Sequence, residues 1–165
     1  MKKLLFILFI IPLISFGQDA QEYFDRAKSK NSSKDYYGAI TDYTRAIELK
    51  PFDVDSYFFR GMSKQNLKDF SGAITDFNKV IELDINDSRA YNMRGISKYK
   101  IEDFYGALAD FNISIELEPN LASSYNVRGS TKAKIGDING ACKDFRKAIS
   151  LGSSFSAQWV SDQCN

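Results

Sequence analysis

Residues 54–87 read VDSYFFRGMSKQNLKDFSGAITDFNKVIELDIND, and residues 88–121 read SRAYNMRGISKYKIEDFYGALADFNISIELEPNL. Laid over one another without a gap, they match Tyr57 with Tyr91, Arg60 with Arg94, Gly61 with Gly95, Lys64 with Lys98, Asp69 with Asp103 and Asp76 with Asp110. A fixed period of this length marks an array of small supersecondary units, so it decides the architecture before any single element is assigned. The same 34-residue period extends to 20–53 and 122–155, and nine positions hold one residue type in all four units. Tyr23 and Tyr125, Arg26 and Arg128, Lys30 and Lys132, Asp35 and Asp137, and Asp42 and Asp144 complete those sets. Gly-Ala pairs recur at 38–39, 72–73, 106–107 and 140–141, and Ile47, Ile81, Ile115 and Ile149 close the units with Leu49, Leu83, Leu117 and Leu151.

Within a unit the apolar spacing is helical: Phe70, Ala73, Ile74, Phe77, Val80 and Ile81 fall on one face. Tyr57 to Leu67 predicts a preceding helix, and Asp69 stands where its side chain can cap the next. Each unit therefore reads as a helical hairpin. Gly61, Gly95 and Gly129, with Ala27 in the first unit, are small where two antiparallel helices cross closely.

The units resemble the tetratricopeptide repeat family, whose pattern places a Gly and an aromatic in the first helix, Ala-x3-Phe in the second and Pro after it. The third unit supplies Tyr91-x2-Arg94-Gly95-x2-Lys98, then Ala107-x3-Phe111, then Pro119. It departs in carrying Tyr for Trp, Arg for Leu and Lys for Tyr, and Ile85 and Ser153 stand where other units have Pro51 and Pro119. The resemblance implies an all-α, right-handed α-solenoid of four helix-turn-helix hairpins. One period beyond Tyr125 lies Trp159, so residues 156–165 are expected to form a capping helix over the last hairpin.

In an antiparallel hairpin the repeated Arg and the second repeated Asp come level, which predicts an ion pair in each unit rather than a row of free Arg for an acidic ligand. Cys142 and Cys164 lie equally far from the turn expected at position 153, so a disulfide is sterically reasonable. The alternative is a small apolar core residue at Cys142 and a terminal one at Cys164.

The chain of 165 residues is 44% hydrophobic and 26% charged, with 22 Lys and Arg against 21 Asp and Glu. That near-balance offers no electrostatic footprint for nucleic acid. The absence of His, of a Gly-rich phosphate loop and of metal-ligand spacing argues against an enzyme, a metal site or a cofactor. Met1-Lys2-Lys3, the 13-residue apolar stretch from Leu4 to Phe16 and the small residues Ser15 and Gly17 predict a signal peptide cut after Gly17 rather than a membrane anchor, because about 20 residues are needed to span a bilayer. The mature domain is then 18–165, in a periplasmic or extracellular compartment where disulfides persist.

The family resemblance implies a concave groove lined by first helices. Phe24, Lys28, Phe58, Met62, Arg89, Asn92, Ile96 and Asn126 are the candidate contacts, apolar toward the first units and amide-rich toward the last. The lysine and asparagine clamp by which some members hold chaperone tails is absent, since its positions carry Phe24, Lys28, Phe59, Arg89 and Met93. The expected function is a non-enzymatic scaffold that binds a protein or peptide partner in that groove. The alternative is an assembly component of a cell-envelope complex that acts through self-association or its convex face.

Overall fold

The computed structural model describes residues 13–164, and the expected leader falls largely outside them. Nine helices follow one another in the described residues: α1 (Leu13–Ser32), α2 (Tyr36–Leu49), α3 (Val54–Asn66), α4 (Phe70–Leu83), α5 (Ser88–Lys100), α6 (Phe104–Leu117), α7 (Ala122–Lys134), α8 (Ile138–Ser150) and α9 (Ala157–Gln163). Each helix packs on the next in sequence, and α1, α3, α5 and α7 also touch in a row. No helix of the first hairpin contacts a helix of the fourth. The fold is an all-α solenoid in which every hairpin buries its apolar flank against a neighbour.

The hairpin turns explain two of the repeated residue types. Asp35, Asp69, Asp103 and Asp137 cap α2, α4, α6 and α8 by accepting from the amides of Gly38, Gly72, Gly106 and Gly140. A Cβ on Gly72 would stand 2.1 Å from the Asp69 carboxylate oxygen, so a side chain there would push the capping group away. The residue before each cap has positive φ, at Lys34, Lys68, Glu102 and Gly136.

Inside each hairpin the small residue of the first helix meets an aromatic ring of the second. A Cβ on Gly95 would lie 2.6 Å from the Phe111 ring, and on Gly129 it would lie 2.8 Å from Phe145. Ala39, Ala73, Ala107 and Ala141 are fully buried beside these rings. Their small volume lets the helices of each hairpin approach closely.

The expected Arg–Asp pairs form in all four units. Arg60 Nη2 and Nε donate to the two carboxylate oxygens of Asp76 at 2.6 and 3.0 Å, and the other units repeat this fork. Two further contacts were not foreseen. Lys30, Lys64, Lys98 and Lys132 join the same carboxylates at 2.7–2.9 Å. The third guanidinium nitrogen reaches back one unit, from Arg60 to Thr44, Arg94 to Asn78 and Arg128 to Asn112. The result is a continuous ladder that stitches unit to unit along one face.

The cap is present as α9, with the Trp159 ring set edge-on against Phe145 at 4.6 Å between centroids. Cys142 and Cys164 are joined in a disulfide. No described helix is long and apolar enough to cross a membrane.

Candidate functional site

The row formed by α1, α3, α5 and α7 carries all eight predicted groove residues, and the structure divides them. Phe24 is half-buried and packs edge-on against Tyr43 and Phe59 at 5.7 and 5.8 Å, while the ammonium of Lys28 lies 5.6 Å from its ring centre. Phe58 is taken out of the groove surface: it is 5% exposed, lies edge-on against Phe59 and Phe77, and has the Arg89 guanidinium 4.8 Å above its ring. Met62 is half-buried against the same apolar cluster.

Arg89 is fixed in that stacking position by Asp87, whose two oxygens accept from Arg89 Nε and Nη2 at 3.1 and 2.7 Å. Burial opposes the charge on Asp87, but these bonds and the backbone amides of Arg89 and Ala90 outweigh it and hold the carboxyl below its ordinary range. Arg89 serves as a lid on Phe58 and not as a free hydrogen-bonding group.

Asn92 also leaves the surface. It is 2% exposed and donates to Ser124 at 2.8 Å, and Ser124 lies 3.0 Å from Ser114. The amide on which ligand contact was expected is therefore used to seal α5 against α7. Asn126 is half-buried and holds the cap segment: it donates to Ser153 at 2.7 Å and accepts from Ser156 at 2.8 Å.

What remains open lies toward the last units. Ile96, Tyr99 and Lys100 of α5 face Asn126, Val127 and Ser130 of α7 across a cleft of ≈ 270 Å³, with Phe155 at its end. A second hollow of ≈ 440 Å³ shares Ser130 and Phe155 and continues past Ala133 and Lys134 to Trp159. The reason is local and sequence-encoded. Where the first unit has Lys28 and Asn31, and the second has Met62 and Gln65, the fourth has only Ser130 and Ala133. The missing side-chain volume becomes the cleft.

Its chemistry is apolar with cationic margins. Phe155 is 78% exposed, a large apolar ring held in water at the mouth. Among the described residues Lys100 and Lys134 form no ion pair, unlike the repeated lysines of the ladder. Phe155, Trp159 and Val127 were missed as site residues by the sequence reading, whereas Tyr99 falls at one of the groove-facing positions of the third unit. The readable signal was the drop in side-chain size at Ser130 and Ala133, together with an aromatic just before the cap.

Comparison with known proteins agrees with this architecture. The tetratricopeptide repeat profile matches residues 54–87 and 122–152, two of the four units. Among solved structures, the first tetratricopeptide domain of Spaghetti (RPAP3) bound to the HSP90 peptide SRMEEVD superposes with a TM-score of 0.70 at 24% identity, covering 72% of this chain and 94% of that one. The MamA protein does so with a TM-score of 0.80 at 23% identity, covering 87% and 78%. The tetratricopeptide domain of Arabidopsis OM64 gives 0.70 at 22%, covering 72% and 98%. No curated protein matches the sequence. Two of the four helix hairpins match the tetratricopeptide repeat profile, and likeness to solved structures at these identities establishes a tetratricopeptide-like fold alone.

Proposed function

We propose that this protein is a non-enzymatic scaffold that captures a segment of another protein on its concave face, anchored in the cleft between α5, α7 and the cap. The observation that carries this reading is the juxtaposition of an open apolar cleft with Lys100 and Lys134 at its margin. Such a surface suits a segment that inserts a large apolar side chain and flanks it with carboxylates. A domain of the same fold holds the acidic peptide SRMEEVD, which supports a peptide as the class of ligand. The chaperone-tail clamp is not the means here, because Phe24, Phe59 and Met93 occupy three of its positions.

Export is part of the proposal. The basic start, the apolar run and the small residues before position 18 support cleavage after Gly17, and the disulfide suits an oxidising compartment. N-terminal sequencing of envelope or secreted protein should begin at Gln18; a start at Met1 overturns export.

The binding test uses an array of decapeptides, each with one Leu, Phe or Trp among Glu, Asp and Ser. Trp159 is the only tryptophan in the chain and lines the cleft, so its emission reports occupancy for the Leu and Phe members. Saturable binding is expected, weakened by tenfold or more, about 1.4 kcal/mol, when Ser130→Phe fills the cleft. No saturable binding, or unchanged affinity in that variant with the fold intact, refutes the reading. Light scattering should find a monomer at all concentrations; growth in mass would favour the assembly alternative.

A further inference from the structure

The wall that closes the cleft on its C-terminal side is the least self-sufficient part of the protein. α9 has seven residues, no side-chain bond at its N-cap and no buried residue. A helix this short does not hold itself together in water. Its non-covalent ties are the Phe145–Trp159 ring contact, the bonds from Asn126 to Ser153 and from Ser156 to Asn126, and that from Arg146 to the carbonyl of Cys164. The remaining tie is covalent, the Cys142–Cys164 bond across 22 residues. Phe155 and Trp159, the two aromatic groups that complete the cleft, both lie inside that loop.

The bond is also within reach of solvent. It borders an open hollow of ≈ 380 Å³ lined by Asn139, Lys143, Arg146 and Gln163. Lys143 and Arg146 are exposed cations on the helix that carries Cys142. Cations beside a sulfur stabilise its thiolate and make it a better leaving group.

We propose that the disulfide gates the cleft: the oxidised protein holds its ligand, and reduction by a dithiol frees the cap and lowers affinity. One thiolate of the dithiol attacks Cys164 Sγ, the Sγ–Sγ bond breaks, and its electron pair leaves on Cys142 Sγ. The second thiolate then displaces Cys164, so the dithiol becomes a disulfide and the two protein sulfurs take up its two protons. Freed of the bond, residues 153–164 lose the constraint that sets Phe155 opposite Tyr99 and Val127 and Trp159 beside Ser130 and Ala133. Coupling is reciprocal, so a tenfold loss of affinity on reduction requires that bound ligand shift the disulfide potential by about 30 mV toward the oxidised form. This inference rests on the peptide-capture reading.

The experiment compares oxidised protein, protein reduced with dithiothreitol, and the Cys142→Ser, Cys164→Ser double variant, each with the tightest decapeptide from the array. Hydrogen exchange over 153–164 is read in parallel, with 54–83 as an internal control for the fold. Reduction and the double variant should both raise exchange in the cap, leave the control segment protected, and weaken the peptide by tenfold or more. Equal affinity in all three forms, or a cap equally protected with the bond cut, overturns the gate while leaving peptide capture standing. Failure of the oxidised form to bind any decapeptide overturns both.

Discussion

The first two hairpins and the last two share one backbone and use opposite chemistry along the groove. In the first half, Phe24 in the middle of α1 and Phe58 near the start of α3 supply rings, and amides occupy the helix ends, where Asn31 accepts from Ser63 and Gln65 donates to Ser97. In the second half the order is reversed: Asn92 and Asn126 stand at the start, and Tyr99 and Ala133 at the end. Both arrangements close the seam ahead of the helix ends, one with rings and one with hydrogen bonds. At their far ends only the first half is stitched. The lesson is that a repeated fold localises a binding site by withholding a seam contact, and the repeated residues themselves are occupied in holding the stack.

The sharpest way to break this comparison is to empty the same position in both halves. Phe58→Ala removes a ring buried among Phe59, Phe77 and the Arg89 lid, and should cost about 4 kcal/mol in urea unfolding. Asn92→Ala takes from the buried Ser124–Ser114 pair its amide donor at Ser124 and leaves a gap between α5 and α7, and should cost about 2 kcal/mol. If Phe58→Ala costs less than about 1 kcal/mol, the ring is not sealed and the first half remains a candidate groove.

How much of this was legible in advance follows from what a repeat encodes. Position within a period specifies which face a residue occupies and which residue of the same hairpin lies opposite, so the hairpins, the Asp caps, the Arg–Asp forks and the level of Cys142 with Cys164 could all be read. The shared lysines were missed because a carboxylate already forked by an Arg was assigned no further donor, although one of its oxygens also accepts from the Lys. Depth in the groove was beyond reach for a different reason. Phe58 is buried because Arg89 of the next unit is folded over it by Asp87, and Asn92 because Ser124 of the next unit accepts from it. Both are contacts between units, set by residues outside the repeated pattern.

The ladder gives a second contrast, between an end and a middle. Arg60, Arg94 and Arg128 each reach back to a preceding unit, and Arg60 is 16% exposed at its side chain against 47% for Arg26, which has no such unit behind it among the described residues. Removing a buried carboxylate strands two cations, so Asp76→Ala should cost about 3 kcal/mol, and Asp42→Ala less. Asp42 also carries a pH signature: the hydrogen bonds from Arg26 hold its pKa down to about 2. A carboxylate depressed in the folded state stabilises it fully above the unfolded value and ceases to as pH falls through about 2. Acid titration of stability should therefore show a loss in the window from about pH 4 to 2 that Asp42→Asn diminishes. Equal losses for Asp42→Ala and Asp76→Ala would remove the distinction between end and middle.

The smallest expected effect concerns the one unit whose hairpin ring is a phenol. Phe77, Phe111 and Phe145 fill this position in the later units, whereas the first has Tyr43, fully buried and with no hydrogen-bond partner for its hydroxyl among the described residues. Burial pushes that hydroxyl's pKa up to about 12, the expected sign where the charged form has neither solvent nor cation to receive it. A buried hydroxyl without a partner forfeits its bond to water and gains nothing in return, so Tyr43→Phe should raise stability by about 1 kcal/mol. The later hairpins already show that the bare ring fits against the small residue of the first helix. A loss of about 1 kcal/mol instead would mean that the hydroxyl is bonded in solution, and that the aromatic seam of the first half admits a polar group as the second half does.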